Sequence, residues 1–354
     1  MPFASQSVLN QGANQPLIHR HVAVSPSTNS ELMQQLANGD IDKTRPYLLT
    51  ASMQTAGRGQ RTRTWQSPIG NIYLSLYHPL QSSLSGLLSL VVGLHITRLP
   101  VLQNLNRQRR SLGLPIVGVK WANDIGYYDT ESLSAGETPT AADKSNTSFH
   151  KLAGILIEPV VTDNKITGVI IGVGMNIEAA PVLSDSTKEG MDYQAISLTQ
   201  IIKQTQNYKQ THTANKDNAH SAHNSLPSDA HSHLPRAEDL YIPVSATLLR
   251  AVAQFEQFSQ QSYALTQFIE DYSAVNVLAG RPIIIEQPPL SAHTTQATQP
   301  QSAQDKHSDT VVIHGVVTGI NTDGSLAINT TQQGYVEPRN IYTGTIRLTG
   351  KDKG

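Results

Sequence analysis

Residues 57–65 read Gly57-Arg58-Gly59-Gln60-Arg61-Thr62-Arg63-Thr64-Trp65, and the reading of the whole chain turns on this stretch. Its glycines free the backbone for positive φ and for close approach to a ligand. Its three arginines offer planar forks of donors suited to phosphate or carboxylate. Such a concentration is out of keeping with the rest of the protein, in which 15% of 354 residues are charged and the formal net charge is −1. That balance argues against the broad basic face of a general nucleic-acid or membrane-surface binder. The loop therefore reads as a local anion site, against the plain alternative of a solvated hairpin with incidental arginines.

Upstream of the loop, residues 17–24 pattern as a strand and 29–38 as a helix, with Thr28 and Glu31 at capping-box spacing. Ser27-Thr28-Asn29 sits at that junction, where a helix N-terminus presents free N–H groups to a polar ligand. The same trio also serves as an ordinary N-cap. Gln54 leads into the arginine loop. Downstream, residues 69–77 alternate, with Ile72, Leu74 and Leu76 on one face and Tyr73, Ser75 and Tyr77 on the other. Residues 86–99 have the apolar density of a buried helix, and 116–121, 152–160 and 166–177 are β-rich, the last two joined by Thr162-Asp163-Asn164-Lys165. Helices are expected over 245–260 and 265–272. Only short strands follow, over 282–286, 311–320, 326–329 and 341–348, with Asn321-Thr322-Asp323-Gly324 as a hairpin connector. The pattern predicts an α+β domain with a small β-barrel appended.

Three polar stretches interrupt this order, at 129–149, 204–236 and 288–309, and read as exposed, mobile insertions that bury too little apolar surface to order themselves. The second holds His212, His220, His223, His231 and His233, which fit a polar loop better than a metal site. There is no cysteine, so no thiolate nucleophile or disulfide framework. The first residues lack the basic-then-apolar pattern of a signal peptide. No apolar run approaches the roughly 20 residues of a membrane helix. A cytoplasmic, globular protein without membrane attachment is expected.

Two further clusters carry chemistry. Val119-Lys120-Trp121-Ala122-Asn123-Asp124 ends a β-run in a charged, amide-bearing tip, though Asn-Asp is also common turn chemistry. Lys151-Leu152-Ala153-Gly154-Ile155-Leu156-Ile157-Glu158 opens an apolar strand with a cation, which elsewhere can simply guard a sheet edge.

Taken in order, GRGQRTRTW, SPIGNIYLSL, KWANDI, KLAGILIE and IIGVGMNI resemble the biotin–protein ligases of the biotin/lipoate ligase superfamily. The resemblance covers residues 17–198 outside the first insertion and continues more faintly over 268–348. It implies a mixed β-sheet catalytic domain flanked by helices over 17–275, after a flexible 1–16, and a small SH3-like barrel over 276–354. It also implies a two-step reaction, in which biotin and Mg-ATP give biotinyl-5′-AMP and pyrophosphate. The lysine amine of a biotin carboxyl carrier domain then takes the biotinyl group and AMP leaves. A cationic loop folded over both reactants would screen the repulsion between carboxylate and polyphosphate.

By resemblance, the biotin site comprises Ser27, Thr28, Asn29, Gln54, Gly57, Arg58, Gly59, Gln60, Lys151 and Gly154. ATP and the adenylate fall to Arg58, Arg61, Arg63, Trp65, Lys120, Asn123, Gly172 and Asn176, and Mg²⁺ to Asn123 and Asp124. Arg58 and Lys151 carry the catalytic roles, and Gly154, Gly172 and Gly174 would either let backbone approach the ligand or serve close packing. The chain departs from the family pattern at Gln60, where an arginine is common, at Ala122, where proline is usual, and at Thr345, where an acidic residue is expected. A lipoate–protein ligase and a non-enzymatic biotin-binding or sensing protein are the rival readings. DNA binding is not expected, because residues 1–16 are too few for a winged helix-turn-helix. Monomer and homodimer both stay open.

Overall fold

The computed structural model describes residues 17–60, 63–129, 148–182, 193–217, 234–287, 310–332 and 334–348. Arg61, residues 1–16 and most of the three polar stretches (130–147, 218–233 and 288–309) therefore lie outside the described residues.

Strand β1 (Ile18–Ser25) leads into helix α1 (Thr28–Asn38), followed by β2 (Tyr47–Gln54) and β3 (Ile72–Pro79). Helices α2 (Leu87–Thr97) and α3 (Pro100–Ser111) come next, then β4 (Gly118–Lys120), β5 (Asp124–Tyr128), β6 (Phe149–Thr162) and β7 (Lys165–Met175). The short β8 (Tyr193–Ala195) precedes α4 (Leu198–Asp217), α5 (Ala237–Gln257) and α6 (Ser262–Ser273). A second run holds β9 (Pro282–Gln287), β10 (Val311–Ile320), β11 (Leu326–Gln332), β12 (Tyr335–Ile341) and β13 (Thr345–Leu348).

The first sheet runs β1-β2-β3-β7-β6-β5-β4, with β8 pairing β6. It is mixed: β1 lies parallel to β2 and β8 parallel to β6, while the other neighbours are antiparallel. The β6–β7 connection is the expected polar turn, with Asp163 at φ 51° and Asn164 at φ 60°. Both residue types tolerate the left-handed region that a two-residue hairpin turn demands. The alternation read in β3 holds, but both of its faces are buried, because helices cover the sheet on each side. On one face α2, α3, α5 and α6 build the main core around Leu74, Leu90, Ile155 and Phe268. On the other, α1 packs Leu32 and Leu36 against Leu49, Tyr77 and Ile170. Helix α2 is apolar on almost every side because it is enclosed by the sheet and α5. Among the described residues no single helix is long and apolar enough to cross a membrane.

The structure corrects two expectations. The cap of α1 is Ser27, one residue earlier than the Thr28–Glu31 box, with extended φ and ψ and its side chain accepting from Ser30 N. Thr28 N–H and the Glu31 carboxylate are engaged elsewhere, with Gln54 and Ser25. Residues 204–217 are not an insertion loop but the body of α4, whose Leu198, Ile201 and Thr205 are buried. A single apolar stripe is enough to dock a helix whose other positions are Gln, Lys and Asn.

The C-terminal strands form a five-stranded antiparallel sheet in the order β12-β11-β10-β9-β13. Among the described residues β12 and β13 stand at its two ends and do not pair, so the sheet is open rather than a closed barrel. The Asn321–Gly324 connector is present, with Asn321 N–H donating to Ser325 O and Gly324 at φ 86°. Ile283, Ile285, Val317, Leu326 and Ile346 of this sheet belong to the main core, and Trp121 Nε1 donates to Gly324 O at 2.9 Å.

Burial holds His19, His21, His78 and His95 below the ordinary imidazole value of 6.5. His95 bridges α2 to α5 through Gln254 Oε1 at 2.7 Å. The unfolded chain takes these protons near 6.5 and the folded chain does not, so lowering the pH through that value favours unfolding. The melting temperature is therefore expected to fall from about pH 7 to about pH 5.5. His95→Gln, which keeps a donor to Gln254, should make that fall shallower. A flat profile in the parent protein would contradict the assignment.

Candidate active site

The centre of the sheet lacks side chains on one face. Gly154 of β6 pairs with Gly174 of β7, and Gly172 pairs with Leu156 one step along. This trough is bordered by the N-terminus of α1 and by the 57–65 loop. The loop closes as a small hairpin: Arg58 and Thr64 form an antiparallel bridge, Gly59 N–H donates to Arg63 O at 2.7 Å and Trp65 N–H to Gly57 O at 2.9 Å.

One cavity gathers Ser27, Thr28, Asn29 and Gln54 from the α1 side, and Arg58, Gly59, Gln60, Arg63 and Trp65 from the loop. Asn123, Asp124, Lys151, Gly154 and Gly172 of the sheet complete it. Most of the expected residues thus meet, although some are about 130 positions apart in the chain.

Ser27, Thr28 and Asn29 are each under 5% exposed, so their polar atoms need partners. Thr28 N–H donates to Gln54 Oε1 at 2.8 Å, and Gln54 Nε2 donates to Ser67 Oγ at 3.0 Å. Ser75 Oγ lies 2.7 Å from Thr28 Oγ1 and against Asn29 Oδ1. Asn29 Nδ2 donates to Glu158 Oε2 at 2.8 Å, and Arg58 Nη2 donates to both oxygens of Glu158 at 2.7 and 2.6 Å. An unbroken polar chain therefore runs from Ser67 to the loop cation Arg58. With 44% of the Arg58 side chain exposed, water screens the Arg58–Glu158 pair, so it positions the arginine more than it stabilises the fold.

At the other wall, Lys151 Nζ lies 2.8 Å from Asp124 Oδ1, 5.4 Å from the Trp65 ring and 4.9 Å from the Tyr193 ring. A cation enclosed by two aromatic faces and a carboxylate is held in one place on the cavity wall. Asn123 Nδ2 donates to Ile155 O at 3.1 Å. The peptide between Trp121 and Ala122 is cis.

Several expectations change. Gly154 and Gly174 make room for the protein's own Trp65: a Cβ at Gly174 would stand 2.5 Å from the indole, and one at Gly154 3.0 Å. Gly172 is filled in the same way by Asn29 Oδ1, 2.2 Å from its would-be Cβ. Gly57 lies beneath the loop, where a Cβ would strike Trp65 O at 2.4 Å. Lys120 lines a neighbouring cleft against Tyr342–Ile346, its ammonium 4.8 Å from the Phe149 ring. Asn176 lines an adjoining recess with Trp65, Lys151 and Tyr193, and its buried Oδ1 has no hydrogen-bond partner among the described residues. Among the described residues Asp124 is the one carboxylate lining the main cavity and is already paired with Lys151, so protein donors for a divalent cation are sparse there. Sequence reading passed over Ser67, Tyr193, Ser75 and Glu158. The last two had a signal, a hydroxyl inside an apolar strand and a carboxylate ending the KLAGILIE motif.

Comparison with known proteins agrees with this geometry. Residues 23–176 match the model of the Biotin/lipoate A/B protein ligase family. That match spans less than half of the chain. Over 177 residues the chain is 32% identical to the bifunctional ligase/repressor BirA of Salmonella typhimurium, covering 48% of this chain and 45% of that protein. It is also 32% identical over 169 residues to the biotin–[acetyl-CoA-carboxylase] ligase of Mycobacterium tuberculosis, covering 45% and 49%. The match thus spans less than half of each relative. The fold is shared more widely: a biotin protein ligase from Aquifex aeolicus, solved with biotin and ATP, superposes with a TM-score of 0.53 at 15% identity, over 94% of this chain and 99% of that one.

Seating of Trp65 on the glycine pair gives a direct test. Gly174→Ala should expel the indole and red-shift its fluorescence, at a stability cost of about 1–3 kcal/mol for overpacking. The shift should vanish in a Trp65→Phe background; an unchanged spectrum in Gly174→Ala would place the indole elsewhere.

Proposed function

We propose that the protein is an ATP-dependent biotin–protein ligase, which forms biotinyl-5′-AMP and transfers the biotinyl group to a lysine of a biotin carboxyl carrier protein. The observation that carries this reading is the joining, in one trough, of a buried polar pocket, a cationic loop and an enclosed lysine. The pocket at Thr28, Asn29 and Gln54 suits a cyclic urea, which both donates and accepts hydrogen bonds. A dithiolane ring does neither and would gain no hydrogen bond from that polar pocket, which argues against lipoate.

In this reading the ureido ring lies at the α1 end and the valeryl chain runs along the trough. The biotin carboxylate is then delivered towards Lys151 and the loop. Arg58 and Arg63 screen the charge of carboxylate and α-phosphate as the carboxylate oxygen attacks phosphorus and pyrophosphate leaves. Lys151 then holds the acyl carbonyl oxygen while the carrier amine attacks it and AMP departs. The unpartnered Oδ1 of Asn176 offers an acceptor to the exocyclic amine of adenine. Mg²⁺ would arrive with the nucleotide, held mainly by phosphates and water, with Asn123 and Asp124 the nearest protein donors. Lys120, in the neighbouring cleft, would serve the outer phosphates. We read the open C-terminal sheet as an SH3-like barrel variant and the protein as cytoplasmic; neither point bears on the chemistry.

Incubation with biotin, ATP and a carrier domain should raise the carrier mass by one biotinyl group, and lipoate should not substitute. Lys151→Ala should reduce carrier labelling about a hundredfold or more. Unchanged labelling in that variant would remove Lys151 from the mechanism, and no labelling by the parent protein would refute the function. Gln60→Arg adds a cation to the loop and should slow release of biotinyl-5′-AMP, as followed by its appearance in filtrates. Equal release rates would show that position 60 does not hold the adenylate.

A further inference from the structure

We propose that Glu158 is a positioning residue that sets the hydrogen-bond polarity of the head-group pocket, making the Thr28 hydroxyl an acceptor for a ureido N–H. This rests on the reading of the ligand as a cyclic urea, and it assigns a role to the last residue of the KLAGILIE motif.

The number of protons on each group fixes the direction of each bond. An ionised carboxylate only accepts, so Asn29 must turn Nδ2 towards Glu158, as its 2.8 Å contact shows. The Asn29 oxygen then faces Ser75 and carries no proton, so the Ser75 hydroxyl donates to it. Ser75 has one proton to give. Its 2.7 Å contact with Thr28 Oγ1 must therefore be filled by the Thr28 hydroxyl donating to Ser75. The longer, 3.2 Å approach of Thr28 Oγ1 to Gln54 Oε1 is left without a proton, and Gln54 Oε1 is satisfied by Thr28 N–H instead. Both hydroxyl protons and one Asn29 amide proton thus point towards the carboxylate, while Asn29 Nδ2 also lies 3.4 Å from Leu156 O. What Thr28 turns to the cavity is lone pairs.

Ser75 is fully buried, and Thr28 and Asn29 are 4% exposed, so water cannot readily supply a substitute donor and scramble this order. Gly172 holds Asn29 in place, since its missing Cβ is the space that Asn29 Oδ1 occupies. Glu158 also takes two hydrogen bonds from Arg58. One carboxylate thereby orients the head-group pocket and tethers the arginine loop beside it. A glutamine at 158 could present either end of its amide to Asn29, and the relay would lose its direction.

The test measures selectivity, which a purely structural role would not move. Calorimetry on the full chain should show biotin preferred over biotin methylated on the ureido nitrogen that faces Thr28 by about tenfold. Both mono-N-methyl isomers are used, and one of them should show the preference. In Glu158→Gln the preference should shrink towards unity, and Glu158→Asp, which keeps the charge, should restore part of it. Ser75→Ala cuts the relay without touching the Arg58 pair and should also lose the preference, so it decides the matter if the glutamine variant fails to fold. An undiminished preference in a folded Glu158→Gln or Ser75→Ala protein overturns the proposal, as does a parent protein that binds biotin without preferring it over either isomer. A parent that binds no biotin at all refutes the ligase reading itself.

Discussion

Everything in the site depends on a strip of sheet without side chains. Gly154, Gly172 and Gly174 leave a furrow across β6 and β7, the two strands with the most extensive mutual pairing in the protein. A furrow in a mobile element would close; in the middle of a sheet covered by helices on both faces it cannot. Asn29 and Trp65 lie in it from opposite sides. The end of α1 and the end of the arginine loop are thereby held to one rigid floor, although they come from separate parts of the chain.

Charge is used sparingly, so where it occurs its surroundings matter. The site pairs two cations with two carboxylates, Arg58 with Glu158 and Lys151 with Asp124. Each pair joins the β6 strand to a neighbouring element. An incoming anion meets arginine and lysine already oriented, at the expense of competing with their carboxylates. A low overall charge also limits distant fields that would attract unrelated polyanions.

Much of this was legible in the sequence, and the misses share a cause. Strands β3, β6 and β7 and helix α2 announced themselves by apolar period, and the five motifs hold most of the residues that line the cavity, with Ser27, Thr28, Asn29, Gln54 and Tyr193 outside them. The cap of α1 was placed one residue late because Thr28 and Ser27 are chemically equivalent caps, and only the contact with Gln54 separates their roles. Helix α4 was missed because its buried stripe is thin and its composition is that of a loop. Ser75 and Glu158 were overlooked because their partners lie 46 to 100 or more positions away. The glycines were legible as places of close approach or packing, and Trp65 and Asn29 are what packs there: a missing Cβ shows that something approaches, not what.

The indole of Trp121 ties the tip that carries Asn123 and Asp124 to the Asn321–Gly324 turn. That turn also faces the start of α2, where a Cβ built on Gly324 would stand 3.0 Å from Leu87 N. The C-terminal sheet is therefore a buttress for one wall of the trough, even though among the described residues it contributes no side chain to the main cavity. Sequence drift in that sheet is constrained by the need to present one backbone carbonyl at one point.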